Sequence, residues 1–78
     1  DGTEAPDVIC PSLPGIHPEV KFVEKLNVQN AMDQAIRDAK EHQIPVVAHK
    51  KKNCDWLVTV RADDWFRIIR ESDLVTEE

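Results

Sequence analysis

Three side chains in the first third of the chain have the types and spacing for phosphate chemistry: Asp7, Glu19 and Lys21. In an extended Pro18-Glu19-Val20-Lys21-Phe22-Val23, successive side chains alternate between faces. Glu19, Lys21 and Val23 therefore share one side, and Val20 and Phe22 the other. A carboxylate and an ammonium then project the same way from one short strand. Asp7 stands at the mouth of the preceding apolar run, Val8-Ile9-Cys10, where a hairpin or bend can bring it alongside. Carboxylates hold a hard divalent cation and a lysine orients or polarises an attacking water, which is what metal-assisted phosphodiester cleavage requires. The plain alternative is the solvated face of an ordinary strand.

Positioning these groups takes strands, a turn and a covering helix, and the chain carries signals for each. Pro6-Asp7 favours an extended entry into a first strand at Val8-Ile9-Cys10, and Pro11-Ser12-Leu13-Pro14-Gly15 breaks it with turn chemistry. A second strand is expected over 18–24, started by Pro18. Asn27 can cap a helix that begins at Val28 and reaches Glu41 or His42. Val28, Ala31, Met32, Ala35 and Ala39 recur on one face, continued by Ile36 at its edge. A stripe so rich in alanine predicts close approach to a sheet. Ile44-Pro45-Val46-Val47-Ala48-His49 reads as a strand entered through a proline, and 55–60 as its antiparallel neighbour across a lysine-rich turn. Strand, helix and strand across 18–49 have the order of a parallel crossover. Asp63 can cap a last short helix to which Trp65, Phe66, Ile68 and Ile69 lend apolar surface, and from Ser72 the tail is polar.

Composition bounds the possibilities. Seventy-eight residues, 41% hydrophobic and 32% charged, describe one small folded domain with a limited core, for which dimerisation through an uncovered edge is expected. No run is long enough to cross a bilayer and no basic-then-apolar leader is visible, so no membrane role is expected. The chain opens on Asp1 and not on methionine, which leads us to expect that an upstream element is absent from it. Cys10 and Cys54 lack a paired spacing, which favours a reducing cytoplasm over a disulfide framework and ranks a zinc site built with His17 and His49 low. The net charge of -5 argues against a surface that attracts nucleic acid everywhere, but leaves room for local contact by His49 and the run Lys50-Lys51-Lys52. A soluble lysine turn is the plainer reading of that run. His17, two residues before Glu19, reads first as a turn histidine, with contact to substrate or metal as its alternative; His42 reads as a helix-end histidine, and Trp56 and Trp65 as packing residues.

Pro6-Asp7 followed by Glu19-Val20-Lys21 resembles the bipartite motif of the PD-(D/E)xK nuclease superfamily, which includes restriction endonucleases and Holliday junction resolvases. The order of elements, with Gln34 in the helix and a basic exit from Ile44-Pro45-Val46-Val47-Ala48, is similar to the archaeal-resolvase-like and small phage nuclease branches. This resemblance covers most of the chain, although Glu-x-Lys by itself recurs by chance.

The resemblance implies an α/β fold: a restriction-endonuclease-like mixed sheet flanked by helices, lacking the family's usual first helix and its acidic residue, in one domain over 1–78 or a fragment of a longer one. Glu4, three residues before Asp7, is a poor substitute for that acid. It further implies a metal-dependent endodeoxyribonuclease acting on branched or duplex DNA in the cytoplasm of a bacterium, archaeon or phage-infected cell. Asp7 and Glu19 would bind Mg²⁺, or Mn²⁺ in its place, with the Val20 carbonyl as a further ligand. Lys21 would stand near the attacking water with Gln34 beside the site; Gln29 competes with Gln34 for that place. The alternatives are a catalytically inactive relative that binds DNA or supports assembly, and a small protein-interaction domain anchored by Trp56 and Trp65.

Overall fold

The computed structural model describes residues 13–75, so Asp7, the expected strand at 8–10 and Cys10 lie outside the described residues. Its elements run β1 (Ile16–Phe22), α1 (Val28–Asp38), β2 (Ile44–Lys50), β3 (Leu57–Val60) and α2 (Ala62–Arg70). The three strands make one mixed sheet in the order β1-β2-β3. β1 pairs parallel with β2 from Ile16↔Ile44 to Phe22↔Lys50, and β2 pairs antiparallel with β3 from Val46↔Val60 to His49↔Leu57. The expected crossover and hairpin are both present, giving a small α/β fold.

Parallel pairing obliges the chain to return across the sheet before β2 can begin, and α1 is that return. Its start is set by Asn27, whose Oδ1 accepts from the Asn30 amide at 2.9 Å. Its inward face is Ala31, Met32 and Ala35, which cluster with Val47 of β2 while Leu26 packs at the edge. Small side chains let the helix lie close to the sheet, and Ala35 and Val47 are fully buried there. The outer members of the expected stripe do not reach this core: Val28 and Ile36 stay exposed.

Several boundaries differ from the sequence expectation, each for a local reason. β1 begins at Ile16, two residues before Pro18, because on an edge of the described sheet a proline costs no ladder donor. α1 stops at Asp38, short of Glu41 or His42: Ala39 turns extended. A turn then follows in which Gln43 Oε1 accepts from the Lys40 amide at 2.8 Å and the Gln43 amide donates to Lys40 O at 2.9 Å. That turn sets the Ile44 amide against Gly15 O, at 2.8 Å, and so starts β2 beside the start of β1. α2 is capped by Arg61 without a side-chain bond, not by Asp63. Asp63 and Asp64 fall in its first turn, where carboxylates suit the helix dipole, and Asp64 accepts from Arg61 Nε at 2.9 Å. Trp65 and Phe66 are exposed and no residue of α2 is fully buried, so this helix adds less apolar burial than its sequence suggests. Among the described residues, no helix is long and apolar enough to cross a membrane.

The close helix-to-sheet approach makes Ala35 intolerant of volume. Ala35→Leu is expected to destabilise the fold by about 1–3 kcal/mol, seen as a lowered urea midpoint at unchanged slope.

Candidate functional site

β1 presents alternate side chains to α1, and the contacts show which. Lys21 Nζ donates to Gln34 Oε1 on α1 at 2.9 Å. Two residues back, Glu19 Oε2 lies 2.9 Å from His17 Nε2, and Asp38 at the end of α1 completes a group whose ligand atoms fall within 4.8 Å of one another. Gln34 and Asp38 are one helical turn apart, so the same face of α1 meets both ends of this row. The seam between β1 and α1 is therefore lined by His17, Glu19 and Lys21 from the strand and by Gln34 and Asp38 from the helix. Val20 points to the opposite face and is 40% exposed, so any part it takes must come from its backbone carbonyl.

Glu19 and Lys21 thus share a face as their alternation requires, and Gln34 joins them. Gln29 does not: its Nε2 donates to Asp33 Oδ1 at 2.9 Å on an exposed face of the helix. His17 and Asp38 were outside the expected constellation. Carrying the alternation of β1 back by one pair reaches His17, whose contact with a metal or substrate is the lesser of its two sequence readings because a strand start at Pro18 leaves it in a turn. Asp38 carries only the helical spacing from Gln34 as its signal.

The expected basic group is divided by the same alternation. His49 faces the α1 side and its Nε2 lies 2.8 Å from Thr59 Oγ1, whereas Lys50 turns to the other face and sets Nζ 5.4 Å from the centre of the Phe22 ring. Lys51 and Lys52 occupy the turn, in which Asn53 adopts φ 67° and Glu24 Oε2 accepts from the Lys52 amide at 2.8 Å. Lys50 and Lys51 help line a groove of about 350 Å³ with His49, Cys54 and Leu57. Lys21 and Gln34 line a shallow depression of about 290 Å³ with Lys25 and Asn30. Val23 and Leu26 border both, so groove and depression adjoin at the end of the sheet where β1 and β2 finish.

The donor chemistry of the seam fits a divalent cation. Glu19 and Asp38 offer carboxylate oxygens and His17 an imidazole nitrogen, all from regular elements. With Lys21 and Gln34 close by, the seam can hold a cation beside a positioned ammonium. No protein-family model, curated protein or solved structure matches this chain. The functional reading rests on the chemistry of the seam.

The hydrogen bond across the seam is measurable on its own. A double-mutant cycle on Lys21→Met and Gln34→Ala is expected to give a coupling of about 0.5–1.5 kcal/mol in urea unfolding, whereas Gln29→Ala changes stability by less than about 0.5 kcal/mol.

Proposed function

We propose that this chain is a metal-dependent endonuclease of the PD-(D/E)xK type, or the catalytic portion of one. The observation that carries the reading is the shared face of Glu19 and Lys21 on β1, with Gln34 of α1 holding the lysine at 2.9 Å. An acid and a lysine at this spacing, on a parallel strand backed by its crossover helix, are what hydrolysis of a phosphodiester uses. In this reading the fold is a restriction-endonuclease-like sheet, and the described strands and helices form part of it.

Asp7, which lies outside the described residues, and Glu19 would hold the metal, with the Val20 carbonyl as a further ligand. A Mg²⁺ ion bound there, or Mn²⁺ in its place, supplies charge neutralisation at the scissile phosphate and makes a bound water more acidic. Lys21 aligns the attacking water and offsets negative charge as it develops on the phosphate. Gln34 fixes the ammonium in place, removing the reorientation that a free lysine would need. The water oxygen bonds to phosphorus as the bond to the 3′ oxygen breaks, leaving a 5′-phosphate and a 3′-hydroxyl once that oxygen takes a proton. DNA, branched or duplex, is the substrate class. Contact to its backbone with little base selectivity would come from Lys50 and Lys51, at the rim of a groove that Glu24 and Asp55 also line beside the Lys21 depression.

A second reading, a protein-interaction module, is favoured by Trp65 and Phe66, which stand 48% and 57% exposed on α2. Cleavage assays separate the two. With Mg²⁺ or Mn²⁺ and branched or linear DNA, Asp7→Ala, Glu19→Ala and Lys21→Ala are each expected to lower the rate by about 10²-fold or more, while Gln29→Ala and Trp65→Ala retain it. Absence of cleavage by the unmodified chain on every such substrate, or equal activity in Glu19→Ala, overturns the nuclease reading.

A further inference from the structure

Glu19 has different neighbours at its two sides. Toward the end of β1 stands the Lys21–Gln34 pair, and toward its start stand His17 and Asp38, which the nuclease reading does not use. The second group has features that hydrogen bonding between His17 and Glu19 alone does not explain.

It sets two carboxylates beside one imidazole. The Glu19 side chain is only 17% exposed, and among the described residues neither Glu19 nor Asp38 forms an ion pair with a lysine or arginine. Asp38 also ends α1, where the exposed carbonyls of the last turn already carry partial negative charge. An acid at that end of a helix is in the unfavourable place; Arg37 is the basic residue of the same turn, but among the described residues it forms no ion pair with Asp38. Two carboxylates, one imidazole and a helix carboxyl end converge.

Its donors are also of a particular kind and spacing. Metal–ligand bonds of about 2.1 Å put neighbouring donor atoms about 3.0–3.4 Å apart. His17 Nε2 and Glu19 Oε2 stand 2.9 Å apart, a hydrogen-bond distance just under that spacing, so a small separation of the two side chains would admit an ion. Asp38 completes a set spread over no more than 4.8 Å, and as an exposed side chain at a helix end it can close the difference by rotating about its own bonds. One imidazole with two carboxylates leaves open positions for water. Such a set suits first-row transition ions better than Mg²⁺, which prefers oxygen throughout.

We propose that His17, Glu19 and Asp38 form a binding site for a transition-metal ion of the Mn²⁺ to Zn²⁺ series, at the start of β1 and the end of α1. The site shares Glu19 with the nuclease reading and depends neither on Asp7 nor on cleavage. His17 is the residue that gives it preference over Mg²⁺, and Asp38 is the ligand whose place at the helix end supplies much of the attraction for a cation.

The experiment is a titration of the full chain with Zn²⁺, Mn²⁺ and Mg²⁺ by calorimetry, with the Zn²⁺ series repeated by NMR of the histidine ring nitrogens. Zn²⁺ is expected to move the ring nitrogens of His17 and leave those of His42 and His49 in place. Zn²⁺ and Mn²⁺ are expected to bind at least about tenfold more tightly than Mg²⁺. Loss of a group that merely supports a ligand costs about 10- to 100-fold in affinity, so His17→Gln and Asp38→Asn should each weaken Zn²⁺ binding at least about tenfold. Asp7→Ala should bind Zn²⁺ as the unmodified chain does. Asp38 is exposed, so Asp38→Asn leaves the core intact even if His17→Gln disturbs β1. A His17 ring that does not respond, unchanged affinity in Asp38→Asn, or loss of Zn²⁺ binding in Asp7→Ala overturns the proposal. A His17 response in a chain that cleaves no DNA supports this site and overturns the nuclease reading alone.

Discussion

The parallel pairing of β1 with β2 is the constraint on which the rest depends. Two parallel neighbours cannot be joined by a tight turn, so the chain must cross the sheet, and the crossing helix must lie flat against it. Ala31 and Ala35 make that close contact possible over Val47. With the helix held so near, side chains of β1 that face it cannot all reach solvent and must find partners on α1. Lys21 finds Gln34, and Glu19 groups with His17 and Asp38. The polar seam is thus a consequence of packing a small-residue helix on a parallel strand pair.

That seam is electrostatically graded along β1. Its far end has Lys21 with Lys25 nearby and opens toward the groove that Lys50 and Lys51 line together with Glu24 and Asp55. Its near end gathers the carboxylates of Glu19 and Asp38 at the carboxyl end of α1. For a chain of net charge -5, such a grading matters more than the total, because a charged ligand responds to where the charges sit as well as to their sum. Glu19 stands between the two and is the residue common to both chemistries proposed for the seam.

Much of the frame is legible from local chemistry. Asn27 as a cap, the alanine stripe, the proline-entered strand at Ile44 and the lysine-rich turn each act through near neighbours, and each element is present, although the strand expected over 55–60 begins only at Leu57. The same holds for the shared face of Glu19 and Lys21, since alternation is a property of any strand. Less legible were the ends. Pro18 reads as a strand start because a proline interrupts a ladder, but at an edge of the described sheet it interrupts nothing. Asp63 reads as a cap because its side chain can accept an amide, yet the helix begins one residue earlier and Asp63 serves in its first turn.

Sequence by itself determined the alternation along β1, the identity of the apolar face of α1 and the order of a crossover followed by a hairpin. These follow from backbone periodicity and from the capping and turn preferences of single residues. Only the tertiary structure decided which helix residues meet β1: Gln34 and not Gln29 at Lys21, and Asp38 at Glu19. It also decided that His49 and Lys50 part to opposite faces, one toward Thr59 and the other over Phe22. The physical reason is that helix rotation and strand pairing are fixed by packing between elements distant in sequence. A shift of one residue in either changes every partner while leaving the periodic pattern of each element the same.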